Sequence, residues 1–363
     1  HIAVVSSRWC RHCRQTTAIA QDREGKTTMI LRTLGQGGPQ IAGVGYGSMS
    51  FGAAYGPTTR EQSVAILDAM QDLGLNHFDT AFIYAGGQAE AIFGDYCAAS
   101  PAARDFFTVA TKGGIFRGDP AENDGFPNNN SRAFLTQQLD ASLKRLQTDC
   151  VDLYYLHRWD QRVPIEEVMQ TLADFKQAGK IRAIGLSEVA PSTLRRAASV
   201  HPVAAVQSEY SLWTRQPELG MLQTCAALGT AFVAFSPVGR GILTDRPVAV
   251  GDDLSGWFID GNPRFVEPNL SANLQWTDGF RSYAADMGVP AASLALAWVL
   301  AKGENTIAIP GTRSVQHLAE AAQGASLRLS ADQMTEIETV LPIGFAHGDR
   351  YSDKQWRGQE RYC

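Results

Sequence analysis

GLNHFDTAFIYAGGQAE, residues 74–90, begins as a short apolar strand and runs into an acid. Asp is a poor strand residue, so Asp79 after His77-Phe78 marks the end of a strand rather than its middle. A tyrosine, Tyr84, follows in the loop, then glycines. How often the chain repeats the order of strand, polar terminus and loop decides the fold.

Strand-like runs recur at 41–46, 76–79, 106–111, 151–156, 181–186, 203–207, 231–235 and 306–309. Between them lie helical patterns with apolar residues three and four apart, as in 59–74, 131–147, 165–180 and 290–303. Gly74, Gly179 and Gly303 stand where helix C-caps are expected. Eight βα units between residues 29 and 341, without a composition break, predict one (β/α)8 TIM barrel of the α/β class rather than two doubly wound domains. MILRTLGQGGPQI, 29–41, reads as an N-terminal β-hairpin around Gly37-Gly38 that closes the barrel floor. GVGYGS, 43–48, has no helix opening at its third glycine and no acid after a second strand, so it fails as a dinucleotide fingerprint.

Composition excludes several classes. Thirty-two basic against 37 acidic residues give a net charge of −5, with no basic run, which argues against nucleic acid. No apolar stretch reaches the roughly 18 residues of a membrane helix. Cys10 and Cys13 form a solitary CxxC with no second pair, so no metal is expected. Cys97, Cys150 and Cys225 read as reduced, buried thiols of a cytoplasmic protein. Residues 1–28, with Arg8, Arg11 and Arg14, read as a leader or expression-derived segment, with a transit peptide as the alternative. The tail 342–363 either folds back across the barrel mouth or is disordered.

In a barrel the strand ends converge on one mouth. Three consecutive ends carry Asp79, Lys112 and His157, and Tyr84 follows the first. A tyrosine phenol, with a reference pKa of about 10, exchanges its proton poorly at neutral pH unless a cation stabilises the phenolate. Lys112 can be that cation, Asp79 can keep it charged, and His157 can orient a carbonyl oxygen. The set reads as an acid and a clamp for a carbonyl gaining negative charge. A barrel lyase forming a Schiff base on Lys112 is another reading.

GLNHFDTAFIY, VATKGG, DLYYLHR, AIGLSE, FSPVGRG and AIPGTR, in this order, resemble the aldo-keto reductase family over almost all of residues 29–341. The resemblance implies a barrel reductase that uses a nicotinamide cofactor, with Asp79, Tyr84, Lys112 and His157 as catalytic residues and Tyr84 as proton donor. It implies Ser187 and Gln207 on the nicotinamide carboxamide, Phe235 against the ring, and Ser236, Val238 and Arg240 along the pyrophosphate. Glu188 replaces the Asn most members carry, and a carboxylate accepts from the amide NH2 but cannot donate to its carbonyl. Gly311 and Arg313 lead into a helix capped by Ser314, and the Arg313 fork suits a 2′-phosphate. His317 and Ala321 stand where members often have Arg and Asn, while Glu320 is kept for the adenine. NADPH is favoured over NADH.

Met49, Phe51, Tyr55, Trp159 and Trp213, with Trp257 and Phe258, are expected to line an aromatic substrate pocket. Segment 244–278 is expected to be a mobile cover. The implied reaction is reduction of small aldehydes or ketones to alcohols, reversible with NADP+. The alternative is a nicotinamide-binding regulatory subunit resembling potassium-channel β subunits.

Overall fold

The computed structural model describes residues 28–363 except Asp124, Lys354, Arg357 and Cys363. The expected leader, Thr28 apart, and the Cys10/Cys13 pair lie outside the described residues. Two strands, β1 (Leu31–Thr33) and β2 (Gln40–Ala42), pair antiparallel as the expected hairpin. Eight parallel strands follow: β3 (Tyr46–Gly47), β4 (His77–Asp79), β5 (Thr108–Gly113), β6 (Val151–Leu156), β7 (Ile181–Ser187), β8 (Ala205–Glu209), β9 (Ala231–Phe235) and β10 (Thr306–Ile309). They pair in chain order. Val44 bridges to Ala308 in parallel, and Gly45 N–H donates to Ala308 O at 2.8 Å, which brings β10 back to the first strand.

The helices are α1 (Arg60–Asp72), α2 (Gln88–Ala99), α3 (Pro101–Phe106), α4 (Arg132–Leu146), α5 (Ile165–Gln177), α6 (Pro191–Val200), α7 (Met221–Leu228), α8 (Asn269–Asp286), α9 (Ala291–Ala301), α10 (Val315–Gly324) and α11 (Ala331–Val340). Local chemistry starts them. Thr59 and Gln62 form a capping box on α1, and Ser131 accepts from Phe134 N–H to open α4. Gly74 and Gly179 are left-handed just past α1 and α5, as expected of helix stops. Gly303 is not left-handed, although α9, like α1 and α5, ends on a right-handed residue, Lys302.

Alternation along each strand divides the core in two. Ala110, Leu153, Tyr155, Ala205, Val233 and Ile307 fill the barrel interior, and their outward neighbours meet the helices. Leu34 and Ile41 of the hairpin join the inner cluster and plug the floor. Gly35 lies so close to β8 that a Cβ there would sit 2.5 Å from Ala204 O.

Other expectations need correction. The run 41–46 is not one strand. Its start pairs within the hairpin, its last residue opens the barrel, and Gly43 to Gly45 carry the chain between them. A period-two pattern cannot reveal a change of partner midway. The long segment after Thr244 ends at α8, so 269–278 are helix rather than cover. Cys97 and Cys225 are buried free thiols, whereas Cys150 is only half-buried. Among the described residues, no single helix is long and apolar enough to cross a membrane.

Candidate active site

Inward parity carries polar side chains to one end of the barrel. Ala110 and Lys112 face in on β5, Leu153 and Tyr155 on β6 with His157 next in phase, and His77 and Asp79 on β4. In these three strands the inward phase therefore ends on a polar side chain. Tyr84 is delivered differently, by a turn in which Tyr84 N–H donates to Ala81 O and residues 85–87 are all left-handed. That is why Gly86-Gly87 follows the tyrosine.

Lys112 Nζ lies between the other two groups. It donates to Asp79 Oδ1, to Thr80 O at 2.8 Å and to Tyr84 OH at 3.5 Å, and it sits 5.0 Å from the Tyr84 ring centroid. Asp79 and Tyr84 are thus partners through the lysine. Asp79 and Lys112 are 1% and 0% exposed, so water does not screen the pair. Burial pushes the Lys112 ammonium down, but Asp79 and then Tyr84 outweigh it, and its pKa ends raised. A lysine held charged in this way is no nucleophile, which removes the Schiff-base reading.

The His157 ring meets Tyr84 edge-on at 5.9 Å, and its Nδ1 is buried without a partner. Burial first, then the Arg158 and Lys112 charges, holds its pKa well below the usual 6.5. His77, buried below Asp79, is lowered chiefly by burial as well. The folded pKa of each lies below its unfolded value. Their stability contribution is therefore complete above about pH 6.5 and is lost as pH falls toward the folded values, at up to about 1.4 kcal/mol per pH unit per imidazole. Thermal midpoints measured from about pH 8 to 5 should hold at first and then drop below about 6.5; a drop that persists unchanged in a His77→Gln variant would remove His77 from this account.

Most residues expected at the cofactor lie at strand ends or in the loops that follow them, at the same end. Ser187 Oγ accepts from Arg158 at 2.9 Å, and Gln207 Nε2 donates to Asp79 Oδ2 at 2.8 Å, tying β8 to the charged pair. Phe235, Ser236 and Val238 are half-buried at and beyond the end of β9. Glu188, Ser236 and Arg240 all have positive φ, at 56°, 51° and 57°, a conformation non-glycine residues adopt at a cost of about 1–3 kcal/mol each. Gly311 and Arg313 precede α10, whose Ser314 cap accepts from His317 N–H at 3.4 Å. Arg313 donates to Pro57 O at 3.0 Å and lies 5.8 Å from the Trp257 ring. Glu320 accepts from Gln316, one turn earlier, at 3.4 Å.

The substrate-pocket expectation divides. Tyr55 and Met49 are half-buried, and the Tyr55 ring lies 6.4 Å from Phe258. Phe51, Trp159 and Trp213 are core residues instead. Phe51 packs against Tyr46 and Phe78 on the outer face of the barrel. Trp159 donates to Val163 O at 2.8 Å beneath Arg196 of α6, and Trp213 lies between Phe265 and the Arg264 guanidinium. Segment 244–268 does cross the mouth, with Phe258 N–H on Ala54 O at 2.7 Å.

The tail folds back. Asn262 Nδ2 donates to Arg350 O at 2.9 Å, Gln355 Nε2 to Phe258 O at 2.8 Å, and Glu360 accepts from Ala190 N–H and Thr193 Oγ1 at the start of α6. Arg350 grips Glu188 with both terminal nitrogens, and Arg240 Nη2 donates to Glu209 Oε2 at 2.7 Å. The sequence reading missed both Arg350 and Glu209. Glu209 carried a usable signal, being the last inward residue of β8, in phase with Gln207.

The family model for the aldo/keto reductase family matches residues 43–342. The chain is 36% identical over 326 residues to the aldo-keto reductase yakc [NADP(+)] of Schizosaccharomyces pombe, covering 89% of this chain and 95% of that one. It is 35% identical over 322 residues to a probable aldo-keto reductase 1 of Glycine max, covering 88% and 90%. Among solved structures, a glycerol dehydrogenase of Gluconobacter oxydans aligns with a TM-score of 0.73 at 26% identity, covering 86% of this chain and 94% of that one. An aldo-keto reductase of Bacillus halodurans in its holo form aligns with a TM-score of 0.72 at 25% identity, covering 87% and 98%. The chain belongs to the aldo/keto reductase family and is an oxidoreductase.

Proposed function

We propose that this protein reduces aldehydes or ketones to alcohols with NADPH, and runs in reverse with NADP+, using Tyr84 as general acid. The observation that carries the reading is the Lys112 ammonium held between Asp79 and Tyr84 at the barrel mouth, with a neutral His157 alongside. The relative from Schizosaccharomyces pombe, whose name carries NADP(+), supports the choice of cofactor.

The residues present fit a dinucleotide. Arg240 spends one terminal nitrogen on Glu209 and leaves Nη1 buried without a partner, a donor suited to a pyrophosphate oxygen. Phe235 offers a ring at the barrel end, Ser187 and Gln207 offer polar groups for the carboxamide, and Gly311 keeps the chain bare beside Arg313. When bound, NADPH supplies the hydride that adds to the carbonyl carbon. The protein's part is the oxygen. His157 donates its N–H to the carbonyl oxygen and fixes its direction. As negative charge builds there, Tyr84 gives up its hydroxyl proton and Lys112 stabilises the phenolate left behind. Asp79 keeps the ammonium in place, and Gln207 and the Lys112–Thr80 bond limit its movement. Tyr55 and Met49 flank the substrate at the rim.

Absorbance at the nicotinamide band, followed with a panel of aromatic and aliphatic aldehydes and with both reduced dinucleotides, tests the reading. Arg313→Ala should raise KM for NADPH about tenfold, the loss of one charge-assisted contact, and leave KM for NADH within about twofold. No NADPH consumption across the panel sinks the reductase reading, and an unchanged NADPH KM in Arg313→Ala sinks the 2′-phosphate assignment.

A further inference from the structure

At Glu188 the loop after β7 departs from the pattern the family resemblance implies, and its environment explains what the carboxylate costs. The residue is 4% exposed, directly follows β7 and is held left-handed. A buried carboxylate needs a counter-charge. Its partner comes from 162 residues away: Arg350 Nη1 donates to Oε1 at 3.1 Å and Nη2 to Oε2. Oε1 also accepts the Glu209 N–H at 2.9 Å. Arg350 Nη1 then lies 3.8 Å from Glu209 Oε2, which Arg240 engages from the loop after β9. Carboxylate and guanidinium alternate, Glu188, Arg350, Glu209, Arg240, with Arg264 facing the same cluster. The tail's arginine is the middle link.

The same tail holds the main chain of that loop. Glu360 N–H donates to Glu188 O at 2.9 Å, and the Glu360 carboxylate takes Ala190 N–H at 2.7 Å. Residues 188–190 are thus gripped through side chain and backbone by one segment. A neutral amide at 188 would not need the guanidinium.

We propose that Arg350 is a positioning residue for the nicotinamide end of the site: it neutralises and aims Glu188, so that docking of the tail and the shape of the carboxamide pocket are set together. This rests on the cofactor reading given above. Removing the guanidinium leaves Glu188 buried with a free negative charge, which relaxes either by turning the carboxylate to solvent or by taking up a proton. Turning carries the acceptor away from the carboxamide NH2, and a proton weakens it. The adenosine end, at Arg313 and α10, is untouched.

The test compares dissociation constants for NADPH and for adenosine 2′,5′-bisphosphate, which lacks the nicotinamide half, in the full-length protein. Arg350→Met should weaken NADPH about tenfold or more while the bisphosphate stays within about twofold. Arg350→Lys keeps the charge but loses the fork, and should fall between wild type and Arg350→Met. The double variant Glu188→Asn/Arg350→Met, with both charges gone, should return NADPH affinity to within about threefold of wild type. Hydrogen exchange should quicken together at 186–190 and 349–362 in Arg350→Met. Equal weakening of both ligands, or a double variant no better than Arg350→Met, overturns the proposal and leaves the arginine a general support. A wild-type protein that binds the bisphosphate but not NADPH brings down the nicotinamide reading and this proposal with it, a result plainly different from either.

Discussion

Tyr84→Phe is expected to lower kcat by about 10²–10⁴ while cofactor affinity stays within about twofold. The substitution removes one oxygen and little else. The ring's place 5.0 Å from Lys112 Nζ and edge-on to His157 does not depend on the hydroxyl, and the 3.5 Å contact to Nζ is long enough that its loss costs at most about 1 kcal/mol of stability. What disappears is the proton that neutralises the alkoxide. His157 cannot replace it, because burial and the charges of Arg158 and Lys112 keep its imidazole neutral. A neutral imidazole gives a hydrogen bond but is a poor proton source at pH 7. Lys112 has a raised pKa and holds its protons still more firmly. Should the phenylalanine variant keep more than about a tenth of wild-type kcat, the proton comes from another group and the role assigned to Tyr84 is wrong.

The polar end of the barrel was legible in the sequence because strands have a period. Asp79, Lys112 and His157 each follow a strand run in the inward phase, so a polar side chain there has nowhere to point but the mouth. Tyr84 was legible only beside the others, since a loop has no phase. The same lack of phase left Phe51, Trp159 and Trp213 undecided: a loop aromatic can face the cleft or the helices, and all three are buried against protein. Residues 269–278, the first part of α8, were read as cover for another reason. The buried stripe of α8 runs Leu270, Asn273, Thr277, Phe280, Ala284, and two of those five are polar. Asn273 earns burial by bonding Arg264 O and His347 O, partners that local pattern does not show. The Glu188–Arg350 pair was hidden in a similar way. Glu188 was visible as an unusual residue, but its cation lies in a tail that carried no periodic signal.

Lys112→Met tests the electrostatic centre of the site, and it should fail on two counts that can be pulled apart. Methionine keeps most of the volume and deletes the charge. Asp79 then remains inside the barrel as a carboxylate with Gln207 Nε2 as its remaining side-chain donor, which should cost about 3–5 kcal/mol of folding stability. Activity should fall by about 10²–10⁴, because the Tyr84 phenolate forms with no cation beside it. Asp79→Asn/Lys112→Met removes both charges and replaces the carboxylate by an amide of the same shape. Stability should recover most of the loss, as it does when a buried pair is removed whole rather than halved. Activity should not recover, because the cation is still missing. Chemical denaturation and steady-state rates on the same three proteins give both readings. If the double variant regains activity along with stability, Lys112 served the fold alone; if Lys112→Met melts with the wild type, Asp79 is not the carboxylate that needs it.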